Sequence, residues 1–282
     1  MKSTHVVLAA VIFLVSPAAS HTRGANDDSV LPGEKELPTS LQKCAVAHFP
    51  FDGHSRETLS GIETMTFNVE YADGRIGKAA VFNGKNAVLA VRENPKLHFK
   101  DSFSFAFWIW CQNEVKNQVV LAKSRFMSDQ YSVAVWKETQ LAFVFNNRDS
   151  WKTADQRLSK RSWDHVVVMG TSRQNARLFI NGKEDRNSPF QTGHAFDDNR
   201  FPIAIGATVA ERNPQDDFFE GMLDDLWMFD RALTPEEVTL VYRMGVTLPK
   251  GQHQVRAQLS VPAIPTGAIG GFVALSDHPV AP

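Results

Sequence analysis

The sequence has almost no net charge, only two cysteines and no common catalytic motif. With 30 basic and 31 acidic residues, its formal net charge of −1 gives no electrostatic reason to expect nucleic acid or an anionic membrane as a partner. It contains no Gly-x-Ser-x-Gly elbow, no His-Glu-x-x-His zinc helix, no Cys-x-x-Cys pair and no Gly-x-x-x-x-Gly-Lys phosphate loop. These absences favour binding over a familiar type of catalysis.

Long apolar runs are also scarce, and the main one lies at the N-terminus. Residues 6–15 follow a basic start, and they are fewer than the roughly 20 apolar residues that a membrane-spanning helix needs. Small residues up to Ser20 then fit a signal-peptidase site. We predict a signal peptide over residues 1–20, a secreted, periplasmic or cell-surface location, and no insertion into the membrane.

The two cysteines are Cys44 and Cys111. In the oxidising compartment that a signal peptide implies, one disulfide between the first strand and a central strand is one expectation. Two buried free thiols are the alternative. Two cysteines so far apart in sequence do not make a metal site by themselves.

Short strand-like runs follow one another over residues 45–229, with turn signals such as Asn83-Gly84 and Asn181-Gly182 between them. The runs are residues 45–51, 65–69, 79–82, 87–91, 103–111, 119–122, 131–136, 141–145, 165–169, 177–180, 203–205 and 222–229. Only one convincing helix accompanies them, and parallel sheets would need crossover helices. We therefore predict an all-β fold, a two-sheet antiparallel jelly-roll β-sandwich with one short C-terminal helix.

The segments on either side of these runs differ in composition. Residues 21–41 are polar and rich in Pro, Gly and Asp, which predicts a flexible linker after the signal peptide. Residues 42–248 are the predicted domain. Residues 249–282 form a Pro/Gly-rich tail that either adds an edge strand around residues 254–261 or stays extended.

The predicted helix has a complete start signal. Thr234 is the predicted N-cap, Pro235 the first helical residue, and Glu237 closes a capping box. Leu233 before the cap can pack on Val238. The helix is expected to stop near Gly245.

One carboxylate in the strand before this helix needs an explanation. Period-2 alternation places Asp224 on one apolar face with Met222, Leu226 and Met228. An unpaired carboxylate there would cost several kcal/mol. Its partner is expected to be Arg231 or a backbone N–H, or else a hard cation such as calcium.

Several segments together resemble the laminin-G-like, concanavalin A-like lectin/glucanase family. They are AHFPFDG at residues 47–53, GKAAVFNG at 77–84, FSFAFWIW at 103–110, WDHVVV at 163–168, ARLFINGK at 176–183, FEGMLDDL at 219–226 and DRALT at 230–234. The resemblance covers about residues 42–246 and implies a two-sheet jelly roll. It also implies a structural calcium, with Asp224 as the best ligand candidate and Asp225 and Asp52 next.

Related glucanases carry a catalytic Glu-x-Asp-x-Glu on one strand. That motif is missing here, and the nearest approach is Glu220 with Asp224 on one face of the last strand. Trp108, Trp110 and Trp163 lie in apolar strands and are predicted to belong to the core.

A polar loop over residues 146–152 combines Trp151 with Asn147, Arg148 and Asp149. Proteins commonly recognise sugars with such a mixture of aromatic and polar groups. The alternative is that Trp151 folds back as a cap on the core. We predict an exported, non-catalytic carbohydrate-binding module. An extracellular protein-interaction or adhesion module and a divergent glycoside hydrolase are the alternatives.

Overall fold

The computed structural model describes residues 37–112, 117–123, 130–145, 149–153, 155–196, 200–208 and 218–246. The predicted signal peptide, most of the predicted linker and the predicted tail lie outside these residues. Within the described ranges, no helix is long and apolar enough to cross a membrane.

The described chain forms sixteen strands, two α-helices and two short 3-10 turns. In chain order the α-helices are α1 (Thr39–Gln42) and α2 (Pro235–Val246), and the 3-10 turns are Pro95–Leu97 and Lys137–Thr139. The strands are β1 (Ala45–Phe49), β2 (Thr64–Phe67), β3 (Glu70–Asp73), β4 (Lys78–Asn83), β5 (Val88–Val91), β6 (Ser102–Cys111), β7 (Gln118–Lys123), β8 (Tyr131–Val135), β9 (Leu141–Phe145), β10 (Asp149–Lys152), β11 (Trp163–Thr171), β12 (Asn175–Ile180), β13 (Lys183–Glu184), β14 (Phe190–Gln191), β15 (Ile203–Ile205) and β16 (Glu220–Phe229).

These strands form two antiparallel sheets packed face to face, which confirms the predicted jelly-roll-like sandwich. The nine-stranded sheet has the order β13-β12-β11-β6-β16-β4-β3, with β1 also paired to β16 and β14 to β12. The seven-stranded sheet has the order β10-β9-β8-β7-β15-β5-β2. Each strand predicted from the sequence is present. The short strands β3, β10, β13 and β14 were not predicted.

Alternation along the strands explains the main core, which lies between the sheets. In β6, Phe103, Phe105, Phe107 and Ile109 belong to this core. The residues between them face the other side of the nine-stranded sheet, where a second apolar cluster lies under α2. We call this second side the outer face.

The second cluster also includes residues that were assigned to the linker. Leu37 and Leu41 are 6% and 0% exposed, and both pack in the cluster on the outer face. The prediction that the linker extends to residue 41 is therefore wrong for these residues. Burial of the two leucines stabilises the short helix α1 against the sheet. The polar composition of this segment had predicted a flexible linker and no helix.

The predicted start of α2 is confirmed. The Thr234 N–H donates to Glu237 Oε2 at 2.9 Å, and the Glu237 N–H donates to Thr234 Oγ1 at 3.3 Å, which is a capping box. Arg231 donates twice to the Glu237 carboxylate, at 2.7 and 2.6 Å. Arg231 is therefore not the partner that was considered for Asp224. The helix extends to Val246, one residue past the predicted stop.

The disulfide considered from the sequence does not form, because Cys44 and Cys111 are both buried free thiols. Cys111 pairs with Gly221 near the start of β16, whereas the residue after Cys44 pairs with Phe229 at its end. These two places are roughly 26 Å apart at about 3.3 Å per residue. A disulfide needs Cα atoms within about 7 Å, so the alternative prediction of two buried thiols is the correct one.

Candidate functional site

An open pocket on the outer face lies where the end of β6 and the start of β11 meet α2. It encloses about 460 Å³, within the range of small-molecule sites. Its lining residues are Arg75, Trp108, Trp110, Arg161, Ser162, Trp163, Asn181, Tyr242 and Val246.

The floor of the pocket follows from strand alternation and register. Trp108 and Trp110 alternate with the inward-facing residues of β6, so both project to the outer face. Trp110 lies directly opposite Trp163 in the pairing of β6 with β11. Cβ atoms of such cross-strand neighbours are about 5 Å apart. Both indoles are half-buried, and both line the pocket.

Helix α2 forms the wall of the pocket, and a glycine permits its close approach. A Cβ on Gly245 would lie 2.3 Å from Nε1 of Trp108, closer than real atoms come. The Tyr242 ring lies 5.9 Å from the Trp108 ring and 5.8 Å from the His165 ring. Burial lowers the pKa of His165 to about 3, so this histidine is uncharged and serves as packing beneath the pocket.

Polar groups surround the aromatic surface. The Arg75 guanidinium lies over the Trp108 ring, 4.9 Å from its centroid, and its buried Nε has no hydrogen-bond partner. The Asn181 Oδ1 accepts from the His165 N–H at 2.8 Å, and its Nδ2 donates to Asp164 at 2.7 Å, so the amide is held in place. Ser162 is exposed at the rim.

Sequence reasoning missed this pocket because it assigned its tryptophans to the core. That assignment is correct for Trp108, which is 3% exposed, but Trp110 and Trp163 keep part of their surface free. A signal was available, because polar residues adjoin both strand ends: Gln112 after β6, and Arg161 with Ser162 before β11.

The predicted sugar-binding loop is only partly within the described residues. Asn147 and Arg148 lie outside them, and Asp149 begins β10. Trp151 is partly buried and packs on the main core, with its ring 5.9 Å from Phe143 and 5.7 Å from Phe190. This geometry favours the alternative, in which Trp151 caps the core. A binding role for the loop stays a prediction.

The acidic pair of β16 lies at a β-bulge. The register with β6 shifts after Asp224, and Asp225 has a φ of 50°, in the left-handed region. The extra residue reverses the alternation, so that Leu223 and Leu226 both face the main core. The prediction that Asp224 shares a face with Leu226 and Met228 is therefore wrong.

Beside the bulge, β16 has no strand partner on one edge. Its pairing with β4 ends at Leu223, and its pairing with β1 begins at Leu226. Here Asp224, fully buried, accepts from the Ile76 N–H through Oδ2 at 2.7 Å, while its buried Oδ1 has no partner. Burial, and next the charge of Asp225, raise the pKa of Asp224 well above its usual range.

The other two predicted metal ligands make contacts of their own nearby. Asp52 Oδ1 accepts from the Lys78 N–H at 2.9 Å. Asp225 Oδ1 lies 2.8 Å from Nε2 of His48. The part of the chain that the structure describes contains no group of three or more His, Cys, Asp or Glu side chains arranged for a metal. The unpartnered oxygen of Asp224 fits a cation, but remaining ligands would have to include backbone carbonyls.

The Glu220–Asp224 pair of β16 is unsuited to glycoside hydrolysis. Glu220 and Asp224 are separated by about 13 Å along the strand at about 3.3 Å per residue. Glycosidases hold their two carboxyl groups about 5 to 9.5 Å apart.

Three other residues are aligned as in a catalytic triad. His48 Nδ1 lies 3.0 Å from Thr58 Oγ1, and Asp225 contacts the other ring nitrogen. However, the Thr58 hydroxyl donates its hydrogen to the His48 carbonyl at 3.2 Å. The hydroxyl is thus already engaged as a donor, and the network links β1, the following loop and the bulge.

Comparison with known proteins agrees with the observed fold. A family model described as the concanavalin A-like lectin/glucanases superfamily matches residues 82–239. A search of curated proteins finds no match to the chain.

Several solved structures have a similar fold. The binding domain of Paraclostridial Mosquitocidal Protein 1 is 18% identical, with a TM-score of 0.58, over 72% of this chain and 52% of that one. Domain 4 of an extracellular arabinanase from Geobacillus stearothermophilus, in complex with arabinotriose, is 21% identical, with a TM-score of 0.55, over 71% of this chain and 98% of that one.

The binding domain of Botulinum neurotoxin DC, in complex with rat synaptotagmin II, is 12% identical, with a TM-score of 0.58, over 73% of this chain and 52% of that one. This chain spans about half the length of the two toxin domains. At these identities the similarity concerns the fold.

Proposed function

Because the chain belongs to the concanavalin A-like lectin/glucanases superfamily, we propose that it is an exported, non-catalytic module that binds a carbohydrate in the pocket beside α2. The observation that carries the proposal is the paired, half-buried Trp110 and Trp163 on the floor of this pocket. Export is proposed from the predicted signal peptide alone.

The pocket has the chemistry that sugar recognition requires. The C–H faces of a sugar ring are apolar and pack on an indole, while its hydroxyls need donors and acceptors at the edge. Trp110 and Trp163 offer the apolar surface, and Ser162 and Asn181 offer polar atoms beside it. Because Asn181 is already held by hydrogen bonds, less side-chain entropy is lost when a ligand binds.

Two observations support the absence of catalysis. The separation of Glu220 from Asp224 exceeds what either glycosidase mechanism uses. The hydroxyl of Thr58 donates to a backbone carbonyl. The arabinanase domain solved with arabinotriose is a precedent for a sugar-binding domain of this fold.

A structural calcium is part of the same proposal. Asp224 would hold it through the oxygen that has no partner, with Asp52 on the other side of the turn at residues 74–78. A bound cation would offset the cost of burying the Asp224 carboxylate.

A protein-interaction module is the second candidate, and the edge strand β2 favours it. Met65 and Phe67 on this strand are 39% and 52% exposed, and β2 ends the order of the seven-stranded sheet. An exposed apolar edge can take an added strand from another chain. The toxin domain solved with synaptotagmin II is a precedent for a protein partner.

The test is binding of the purified chain to a broad panel of polysaccharides and oligosaccharides, in calcium and in EDTA. Trp163→Ala should weaken the best hit at least tenfold, or about 1.4 kcal/mol, because it removes one of the two half-buried indoles on the pocket floor. Trp151→Ala is the matched control and should bind like the wild type. Loss in Trp151→Ala alone would move the site to the predicted loop. If no saccharide in the panel binds, a protein partner is favoured.

A further inference from the structure

The pocket contains positive charge that the described chain does not neutralise. Arg75 and Arg161 both line it, and none of its lining residues is acidic. Among the described residues, neither guanidinium has a hydrogen bond or an ion pair, and Nε of Arg75 is buried with no partner. Burying a donor without an acceptor is costly unless something else supplies one.

The two other partly buried arginines among the described residues are paired. Arg177 donates to both oxygens of Glu184, at 2.8 and 2.6 Å. Arg231 does the same to Glu237. Arg75 instead lies over the Trp108 ring, and among the described residues no carboxylate pairs with its guanidinium. A planar guanidinium binds a carboxylate or a sulfate through two parallel hydrogen bonds.

We propose that the ligand of this pocket is an acidic saccharide, whose carboxylate or sulfate group binds Arg75, with Arg161 at the rim. This inference rests on the proposed function and specifies its ligand class. The acid group accepts from the terminal amino groups of Arg75, which, unlike Nε, are not buried and have no partner among the described residues. The sugar ring packs on Trp110 and Trp163 beside it. The cation–π contact of Arg75 with Trp108 positions the guanidinium before the ligand binds.

The test compares polysaccharides that differ only in charge. Polygalacturonate is paired with its fully methyl-esterified form, and κ-carrageenan with its desulfated form, so one pair reports on carboxylate and the other on sulfate. The charged member of at least one pair should bind at least tenfold tighter than its neutral counterpart. This preference should decrease as salt increases, because salt screens the attraction.

Variants then assign the preference to Arg75. Arg75→Gln should reduce affinity for the charged polymer at least tenfold and leave affinity for the neutral one unchanged. Arg75→Lys keeps the charge but loses the two parallel donors of the guanidinium. Its affinity for the charged polymer should lie between those of the wild type and Arg75→Gln. Arg92→Gln is the matched control, because Arg92 follows β5 of the other sheet and pairs with exposed Glu63.

If Arg75→Gln fails to fold, as judged by its thermal unfolding, Arg161→Gln at an exposed position should reduce the charge preference about threefold. Equal binding of charged and neutral polymers, both weakened by Trp163→Ala, would overturn the acidic ligand and leave the proposed function standing. The acidic ligand would also be overturned if Arg92→Gln lost as much affinity for the charged polymer as Arg75→Gln. No binding to any polymer would overturn both.

Discussion

The buried carboxylate of Asp224 lies in surroundings that disfavour its negative charge. It is fully buried, its Oδ1 has no partner, and Asp225 follows it at the bulge. Without a cation, its ionised form is disfavoured by burial and by the neighbouring charge. With a cation, the same oxygen becomes a ligand.

Asp224→Asn should therefore have opposite effects in the two conditions. In EDTA, the variant should melt at or above the wild-type temperature, because an amide has no charge to bury. In millimolar calcium, the wild type should gain stability, by about 2.7 kcal/mol at a calcium concentration of 100 times Kd, and the variant should gain little. Thermal unfolding followed by circular dichroism measures both.

Asp73→Asn is the control for this experiment, because Asp73 is an exposed acid on β3, which is separated from β16 by β4. It should respond to calcium as the wild type does. A wild-type melting temperature that is the same in calcium and in EDTA would disprove the calcium site.

The buried imidazole of His165 predicts an acid-sensitive fold. Its pKa is about 3 when folded and about 6.5 when unfolded, because burial disfavours the charged ring. Between these pH values the folded state binds fewer protons than the unfolded state. The contribution of His165 to the free energy of unfolding is therefore fully present above pH 6.5 and is lost as the pH decreases towards 3.

Between pH 7 and pH 4.5, we expect the free energy of unfolding to decrease in the wild type by about 2 to 3 kcal/mol more than in His165→Phe. Urea unfolding at both pH values measures this difference. His54→Phe, at an exposed position, should retain the wild-type dependence. The interpretation fails if His165→Phe and the wild type lose equal stability.

At the scale of elements, α2 and β16 show what local sequence can and cannot predict. The capping box of α2 was predicted because its signal lies within four residues and needs no other part of the chain. The bulge in β16 was not, because an alternating pattern does not show where an extra residue enters a strand. The short strands β3, β10, β13 and β14 carry no apolar alternation, so only their pairing defines them.

Thr234→Ala should destabilise the protein by about 1 kcal/mol, the usual value of an N-cap side chain. The Thr234 hydroxyl accepts from the Glu237 N–H, which would otherwise have no partner. Chemical denaturation gives the difference in the free energy of unfolding. The matched control is Thr239→Ala on the same helix, whose exposed hydroxyl donates only to the Pro235 carbonyl.

The control should be neutral or slightly stabilising, because alanine is the better helix former. Equal losses in Thr234→Ala and Thr239→Ala would show that the capping box contributes nothing beyond helix propensity.

For the whole molecule, the fold was predicted from the sequence and the pocket was missed, because its sequence signal is weak. Closely spaced turn signals with one helix leave few architectures other than an antiparallel sandwich. The pocket depends on long-range register instead. Trp110 and Trp163 meet only because β6 and β11 pair in one particular register, and α2 approaches only because Gly245 has no side chain.

The central claim is that a saccharide lies on Trp110 and Trp163. All six tryptophans can be labelled with nitrogen-15, and each indole N–H signal can be assigned by single substitution. Titration with the best polysaccharide-derived oligosaccharide should move the Trp110 and Trp163 signals first and most, and leave Trp151 and Trp136 in place. Movement of the Trp151 signal with Trp110 and Trp163 unchanged would contradict the account.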